Sequence, residues 1–312
     1  ILTGLTKAFI ITEKKRNELV GIDSNAAEII KPILRGRDIK EWIGLDSKHY
    51  LICTFPSLNI DINEYPSVKQ YLIDFGKKRL EQSGEKGSRK KTSNKWFETQ
   101  DTIDYWEEFL KPKIMYQKFQ VSPCFIYDEQ GLNCNDSMWI IPTENKSLLG
   151  ILNSKMGWWL ITKYCTQIRG GCQLIWKYFG QIPIPELNGE LDDHVVNIME
   201  LNNELQKITD SFSDLIQSKF EIDKLSRKLE NWHDLTFKEF LKELEKARKK
   251  ARRDCNPLPI QEQAEWMEYF NQQKAKADDL KSQIAQTDSE IDAMVYDLYG
   301  LTEEEIRVVE EK

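Results

Sequence analysis

The stretch that organises the chain reads Glu28-Ile-Ile-Lys-Pro-Ile-Leu-Arg-Gly-Arg-Asp-Ile-Lys-Glu-Trp42. Its proline disfavours helical backbone at the lysine before it, which predicts that a helix stops there. Arg35 and Arg37 flank a glycine in a predicted turn, where glycine is free to adopt a positive φ. Ile39 and Trp42, three residues apart, suit the start of a short helix. The two arginines therefore either pair with nearby acids or contact phosphate.

A basic segment stands out in an otherwise acidic chain. The 312 residues include 44 Lys and Arg against 51 Asp and Glu, a net charge of −7, which argues against a uniformly basic nucleic-acid binder. The span from Lys77 to Lys95 nevertheless holds eight basic residues and two acids, with glycines and serines that predict a flexible loop, and Trp96 follows it. Such a segment is typical of a loop that follows a phosphate backbone, and a solvated surface loop is the alternative.

Several short motifs resemble those of a known family. Leu34-Arg-Gly-Arg-Asp-Ile39, after the Ile-Ile-Lys-Pro run, is similar to the signature of the TaqI-like target-recognition (specificity) domain. That domain lies C-terminal to the methyltransferase domain in adenine-specific DNA methyltransferases and in fused type IIG restriction-modification enzymes. Further motifs resemble the family in order: Gly4-x-x-x-Ala8-Phe9, with Lys7 where an asparagine is common, Lys111-Pro-Lys-Ile114, Phe125-x-x-Asp128, Ile151-Leu-Asn-Ser154, a glycine turn near residue 170, and Ile182-Pro-Ile-Pro185.

The resemblance implies an α+β fold in which residues 1–186 form a mixed α/β DNA target-recognition domain. It also implies two partners: double-stranded DNA, and an upstream methyltransferase domain of the same parent chain that methylates N6 of an adenine flipped out of the duplex. That parent is expected to use S-adenosylmethionine, with Mg as a further candidate. The segment itself is expected to hold no cofactor.

Two kinds of DNA contact are predicted. Basic residues of the loop neutralise phosphates and fix the register, while a few side chains read base edges. Arg35, Arg37 and Arg169 are candidates for base or phosphate contacts, and Trp96 is a candidate for packing against the sugar-phosphate edge. The complete predicted set is Arg35, Arg37, Lys77, Lys78, Arg79, Lys86, Arg89, Lys90, Lys91, Lys95, Trp96 and Arg169.

Composition changes after Glu186, and residues 187–312 are predicted to form a helical coiled-coil region. Apolar residues seven apart form an a/d seam, which predicts a helix over residues 192–230. A second heptad pattern follows Pro259, and a shorter charged helix ending in the basic run 246–253 lies between the two. The long helices are expected to pair antiparallel within the chain, with a homodimer as the alternative. The predicted seam residues are Ile198, Leu205, Phe212, Leu201, Ile208, Leu215, Ile222 and Leu229, then Trp266, Leu280, Met294, Phe270, Ala277, Ile284, Ile291 and Leu298.

No catalytic constellation is visible in the sequence. The three histidines are scattered, the six cysteines form no C-x-x-C pair, and neither a phosphate-binding loop nor the Asn/Asp-Pro-Pro-Tyr motif of adenine methyltransferases occurs. We therefore predict that this segment is not itself an enzyme. The lack of a signal peptide and of a membrane-spanning run predicts a cytoplasmic protein with reduced thiols and no membrane partner. The alternative function is a protein-interaction or oligomerisation module with a coiled-coil arm and no direct DNA contact.

Overall fold

The computed structural model describes residues 1–46, 48–251 and 257–311. The chain forms two compact units, residues 1–190 together with the tail from Leu298 onward, and residues 191–297. The predicted boundary falls after Glu186, with the tail in the helical region; the structure instead packs the tail with the first unit. The hydroxyl of Tyr299 donates to the carbonyl of Pro183 at 2.7 Å, which fastens the start of the tail.

Short strands and helices alternate in the first unit, which confirms the predicted mixed α/β class. The strands are β1 (Ile10–Thr12), β2 (Ile30–Leu34), β3 (Ile39–Lys40), β4 (Ile43–Gly44), β5 (His49–Ile52), β6 (Lys113–Gln117), β7 (Phe119–Gln120), β8 (Phe125–Asp128), β9 (Asn133–Cys134), β10 (Met138–Pro142), β11 (Thr166–Ile168) and β12 (Gly171–Gln173). Within the described ranges they form four small sheets, with the orders β1-β5-β2-β9, β10-β6-β8, β11-β12-β7 and β3-β4.

The helices are unevenly distributed between the two units. In the first unit they are α1 (Thr6–Phe9), α2 (Glu13–Ile22), α3 (Ala26–Ile29), α4 (Pro66–Leu80), α5 (Lys146–Asn153), α6 (Lys155–Tyr164) and α7 (Trp176–Phe179), and the tail adds α12 (Glu303–Glu310). The second unit is built from α8 (Asp192–Phe220), α9 (Arg227–Glu230), α10 (Phe237–Lys250) and most of α11 (Ile260–Tyr299). No helix in the described part of the chain combines the length and apolar character needed to cross a bilayer.

Strand β2 lies at the centre of the first sheet and changes partner along its length. Its first half pairs antiparallel with β5, ending at the Pro32–Tyr50 position, and its second half pairs parallel with β9 from Ile33 onward. Proline has no N–H to donate to a ladder, and here it lies where one ladder gives way to the other. The helix that precedes it, α3, ends at Ile29, as the proline predicts.

The turn after β2 differs from the prediction in two respects. Gly36 does not have a positive φ. The position instead favours glycine because a Cβ there would lie 3.0 Å from the Ser137 hydroxyl, which accepts the Gly36 N–H at 3.1 Å. The helix predicted from Ile39 and Trp42 is wrong, because these residues enter the β3–β4 hairpin, where the Trp42 N–H donates to the carbonyl of Phe125 at 3.1 Å.

Two other local predictions in the first unit have different outcomes. Apolar residues three and four apart (Val68, Tyr71, Leu72 and Phe75) predict an amphipathic helix after Tyr65, and α4 confirms it, with a kink at Gly76, whose φ is 122°. The apolar run at residues 8–11 and the turn residues at 21–25 predict strand, turn and strand over residues 1–27. Beyond β1 this prediction is wrong, because α2 occupies Glu13–Ile22 and buries only Leu19. One buried side chain leaves almost no periodic signal in the sequence.

The Lys-Pro-Lys-Ile and Phe-x-x-Asp motifs meet as a buried ion pair. Lys113 and Asp128 are register partners across β6 and β8, and their side chains are 0% and 2% exposed. The Lys113 ammonium donates to Asp128 and, at 2.5 Å, to the carbonyl of Phe109. Asp128 also accepts the backbone N–H groups of Gln130 and Leu132 at 3.0 and 2.9 Å. Each buried charge is therefore paired and further hydrogen-bonded, as burial requires.

Asn153 fastens α5 to the edge of β8. Its amide oxygen accepts the Phe125 N–H and its amide nitrogen donates to the Phe125 carbonyl, both at 3.0 Å. These are the bonds that a neighbouring strand would otherwise make. The Ser154 hydroxyl then caps α6 by accepting the Gly157 N–H at 3.1 Å, and a Cβ on Gly157 would lie 1.9 Å from the carbonyl of Ile151. The Ile-Leu-Asn-Ser motif thus forms the tight α5–α6 junction.

Helices α8 and α11 pair antiparallel within the chain, as predicted. The Asn197 amide donates to the Thr287 hydroxyl at 3.3 Å near one end. The Lys219–Glu262 ion pair, at 3.7 Å, lies near the other end. Residue numbers rise along one helix as they fall along the other, which defines the direction of pairing.

The seam of α8 differs from the predicted one after Leu201. Thr209 and Ile216 are buried, whereas Leu215 is 40% exposed and Ile208 is only partly buried. A straight helix has 3.6 residues per turn and drifts away from a strict seven-residue repeat, so the buried row moves by one position. The helix also ends at Phe220 rather than at residue 230, because Glu221 adopts a left-handed backbone with φ 49°.

An aromatic core fills the end of the second unit away from the α8 N-terminus. The rings of Phe212 and Trp232 stack with centroids 4.0 Å apart, and the Trp232 indole donates to the carbonyl of Thr209 at 3.3 Å. Phe240 of α10 stacks on Phe270 of α11 at 5.1 Å. The predicted short helix between the two long ones is therefore part of a small bundle rather than a simple connector.

Candidate nucleic-acid interface

The basic segment is partly helix and partly a folded loop. Lys77, Lys78 and Arg79 lie in the last turn of α4, where cations also interact favourably with the helix dipole. The chain then folds back on itself over residues 81–96: the Arg89 N–H donates to the carbonyl of Glu81 at 2.9 Å, and that of Gly84 to the carbonyl of Arg89 at 3.0 Å. We call the last turn of α4 together with residues 81–96 the basic loop region.

Buried Gln82 holds the base of the loop. Its amide nitrogen donates to the carbonyls of Lys95 and Glu98, each at 3.2 Å. Its amide oxygen accepts the Thr92 hydroxyl at 2.8 Å. One side chain thereby joins the two ends of the turn that carries the lysines, so the loop is supported by hydrogen bonds rather than merely solvated.

Arg89 is a correction to the predicted DNA-binding set. It is 3% exposed, and its guanidinium donates to the carbonyls of Leu80, Thr3 and Trp96, each at 2.8 Å. It also lies 5.0 Å from the centre of the Phe9 ring. Burial lowers the pKa of Arg89 to about 10, so the group remains charged at neutral pH. Its donors are used inside the protein and are not available to a phosphate.

The other basic residues of the region are exposed. Three contact rings: Lys77 lies 5.5 Å from the centre of the half-buried Trp96 ring, Arg79 is 5.2 Å from Phe75, and Lys95 is 5.6 Å from Phe97. Lys95 also pairs with Glu98 at 3.6 Å. Among the residues that the structure describes, four have neither a ring contact nor a carboxylate partner: Lys78, Lys86, Lys90 and Lys91.

Helix α2 extends this surface, which the sequence analysis did not anticipate. The Lys15 ammonium lies 5.7 Å from the centre of the Tyr71 ring on α4, and Tyr71 contacts Phe75 at 6.4 Å. Lys14 is exposed beside it. The sequence signal for this contact is the Lys-Lys-Arg run at 14–16 together with the four-residue spacing of Tyr71 and Phe75.

The two arginines of the opening motif have different roles. Arg35 donates to both carboxylate oxygens of Asp38, from Nε at 2.6 Å and from Nη2 at 2.9 Å, and its side chain is only 17% exposed. The pairing alternative therefore holds for Arg35, whose guanidinium closes the turn. Arg37 is exposed and has no ion pair within the described ranges. Only Arg37 is free to contact a ligand.

Arg169 lies at the exposed tip of the β11–β12 hairpin, with a φ of 51°. In the second unit, the basic run at the end of α10 is helix surface where the structure describes it, except for Arg248. Lys246 pairs with Glu243 at 2.8 Å, and Arg248 is buried over the Phe220 ring at 5.4 Å. Arg252 and Arg253 lie outside the described residues.

Four of the thiols that the structure describes show no sign of nucleophilic activation. Burial raises the pKa of Cys53 and Cys124 to about 12, and that of Cys134 and Cys165 to about 11. A thiol with such a pKa stays protonated at neutral pH, and the thiolate is the reactive form. Across the described parts of the chain, no group of three or more His, Cys, Asp or Glu side chains could hold a metal ion.

The first unit is thus a mixed α/β unit with a cation-rich surface. Residues 31–184 match the family described as the TaqI-like C-terminal specificity domain, and residues 185–295 match a family described as a domain of unknown function (DUF8810). The matched range of the specificity-domain family covers just under half of the 312 residues. The resemblance drawn from the motifs is confirmed, although Gly4 to Phe9 lie before the matched range.

Two further comparisons add little. No curated protein matches the chain. Among solved structures, the chain is similar to one titled "Structure of Type IIL restriction-modification enzyme MmeI in complex with DNA has implications for engineering of new specificities". The identity is 12%, the TM-score is 0.42, and the match covers 88% of this chain and 35% of that enzyme. The chain therefore spans about a third of the length of the enzyme it matches.

Proposed function

We propose that the chain is a DNA target-recognition module of a restriction-modification enzyme and contacts the phosphates of duplex DNA through the basic loop region. The observation that carries the proposal is the group of exposed lysines without carboxylate partners, on a loop braced from inside by Arg89 and Gln82. Cations that are not neutralised within the protein are available to replace the counterions of DNA. The match of residues 31–184 to a family of specificity domains supports the same function.

The proposed mechanism is a division of labour within a longer parent chain. This module fixes the register of the duplex and selects the site. An upstream methyltransferase domain then receives a flipped adenine and uses S-adenosylmethionine to methylate its N6. We assign no residue of this segment to that cofactor or to Mg, and we assign no catalytic step to it.

Charge reversal in the loop tests the phosphate contacts. We expect the double variant Lys90→Glu, Lys91→Glu to bind random duplex DNA more weakly than the wild type and to reduce the slope of log affinity against log salt by about 2, because each lost phosphate contact removes about one unit. The measurement is fluorescence anisotropy of the whole 312-residue chain between about 50 and 200 mM salt.

The matched control is Lys249→Glu, Lys250→Glu, which makes the same charge change at exposed positions of α10. Its salt slope is expected to stay close to that of the wild type. Equal losses in the two variants would show that net charge, rather than the loop, governs binding. No binding of the wild type at the lower salt would overturn the proposed function.

The oligomerisation alternative makes a different prediction. Because α8 and α11 bury their seams against each other, little of the heptad surface is left for a second chain. We therefore expect light scattering to give a monomer mass of 36.7 kDa that does not change with concentration. A mass that rises towards twice this value on concentration would favour the homodimer and the interaction-module function.

A further inference from the structure

The first unit contains a small antiparallel ribbon. It consists of β11, β12 and β7 with the turn Arg169-Gly170, and we call it the ribbon. Ile168 and Gly171 are register partners, so the hairpin loop has only two residues, with φ values of 51° and 78°. Two positive φ values at the central positions define a type I′ turn. All three residues of β11 are exposed, as is the turn itself.

Arginine is an unusual residue in this turn. Type I′ turns favour Asn, Asp and Gly because both central residues need a positive φ, which an L side chain adopts with strain. Arg169 nevertheless takes the first central position and points from an exposed tip with no ion pair among the residues that the structure describes. A local rule broken at an exposed position indicates a role outside the fold.

The charge of the surrounding chain is equally unusual. The protein has 51 acids in 312 residues, yet there is none between Glu144 and Glu186 and none between Glu108 and Asp128. The three strands of the ribbon lie wholly inside these two acid-free segments. The same segments carry exposed or half-buried cations that include Lys118, Lys163, Arg169 and Lys177. Segments that approach a polyanion closely avoid carboxylates, because like charges repel.

The ribbon is closely packed and apolar next to its turn. A Cβ on Gly171 would lie 2.4 Å from the carbonyl of Gln120 on β7, so the two strands approach more closely than any other residue allows. Ile168 and Val121 are 40% and 66% exposed on either side of the glycine. Exposed apolar side chains beside a cation match the major groove, where thymine methyl groups lie among hydrogen-bonding base edges.

We propose that the hairpin β11–β12 enters the major groove of double-stranded DNA and that Arg169 reads a guanine there. The inference rests on the proposed DNA recognition and assigns the specificity to a different part of the surface from the phosphate-binding loop. The major groove admits a two-stranded ribbon, and an arginine makes paired hydrogen bonds to O6 and N7 of guanine.

The test uses a residue that suits the turn better than arginine. Arg169→Asn keeps a type I′ turn, so its melting temperature is expected to equal or exceed that of the wild type. Sequences are selected from a duplex library with the wild-type chain and with the variant. We expect the variant to lose a guanine preference at one position and to bind the wild-type site about 5- to 100-fold more weakly. Its affinity for random duplex DNA is expected to fall only by the contribution of about one phosphate contact.

A crosslinking measurement locates the hairpin independently. The photoreactive residue p-benzoylphenylalanine is placed at Ile168 and, as the control, at Leu215, since both positions are 40% exposed. Crosslinks to DNA bases are expected from position 168 and not from position 215. Any of three outcomes would overturn this inference and leave the proposed function intact. The wild-type chain could bind DNA but select no sequence, or the Arg169→Asn variant could select the same sequence with unchanged affinity. Equal crosslinking at the two positions would be the third. A wild-type chain that binds no duplex would overturn the proposed function with it.

Discussion

Asp128→Ala is expected to destabilise the protein by about 3–5 kcal/mol, because it leaves a buried ammonium without its counter-charge. Lys113 is fully buried and donates to Asp128, and its remaining contacts are the carbonyls of Phe109 at 2.5 Å and Lys111 at 3.4 Å. The loss also frees the backbone N–H groups of Gln130 and Leu132. The measurement is the free energy of unfolding in urea, monitored by tryptophan fluorescence.

Two controls separate a buried pair from an exposed one. Lys111→Ala removes the Lys111–Glu108 pair, which has a distance of 2.7 Å and a lysine side chain that is 57% exposed, and is expected to cost less than about 1 kcal/mol. The double variant Lys113→Met, Asp128→Leu is expected to be more stable than Asp128→Ala, since neither buried charge remains. A loss below about 1 kcal/mol for Asp128→Ala would contradict the role assigned to the pair.

The ion pair illustrates what the sequence could not predict. Both tetrapeptides that contain it were noted as motifs, but fifteen residues separate Lys113 from Asp128, and only the register of β6 on β8 brings them together. Register depends on pairing between strands that carry no periodic signal of their own at this length. The same holds for Asn153. Its side chain is hydrogen-bonded to the backbone of Phe125 in β8, which lies 28 positions earlier in the sequence.

Long helices with a regular spacing of apolar residues were predicted well. Helix α4 and the antiparallel pair α8 and α11 follow from apolar residues spaced three, four and seven apart, because one face of each is buried. The heptad pattern does not predict the exact buried row of α8, because it favours leucine and isoleucine over Thr209. The threonine is accepted in the core since its hydroxyl donates to the carbonyl of Leu205 at 2.7 Å.

The sequence predicts the candidate site as a run of basic residues but does not show which of them are exposed. In the sequence, Arg89 is indistinguishable from Lys90 and Lys91, because a cation in a polar segment is usually solvated. In the structure the Arg89 side chain is buried, with 3% of its surface exposed, whereas Lys90 and Lys91 are exposed. The physical distinction is the planar guanidinium, whose five N–H donors can satisfy several carbonyls at once.

This distinction gives the second large prediction, that Arg89→Lys destabilises the protein although it conserves charge. A lysine ammonium cannot occupy the three donor positions that reach Leu80, Thr3 and Trp96, so at least two buried carbonyls lose their partner. Each unsatisfied buried group costs about 1–3 kcal/mol, and we expect a total near 3 kcal/mol in urea unfolding. The exposed neighbour change Lys90→Arg is the control and is expected to leave stability unchanged within about 0.5 kcal/mol.

The same pair of variants distinguishes a brace from a DNA contact. If Arg89 contacted phosphate directly, Arg89→Lys would keep most of the affinity, since lysine also neutralises a phosphate. Because the guanidinium instead joins the end of α4, the N-terminal segment and the Trp96 end of the loop, we expect the variant to lose DNA affinity while it remains folded in the absence of denaturant. Stability and affinity that both match the wild type would contradict the brace, and the loop lysines would then have to be positioned by Gln82 alone.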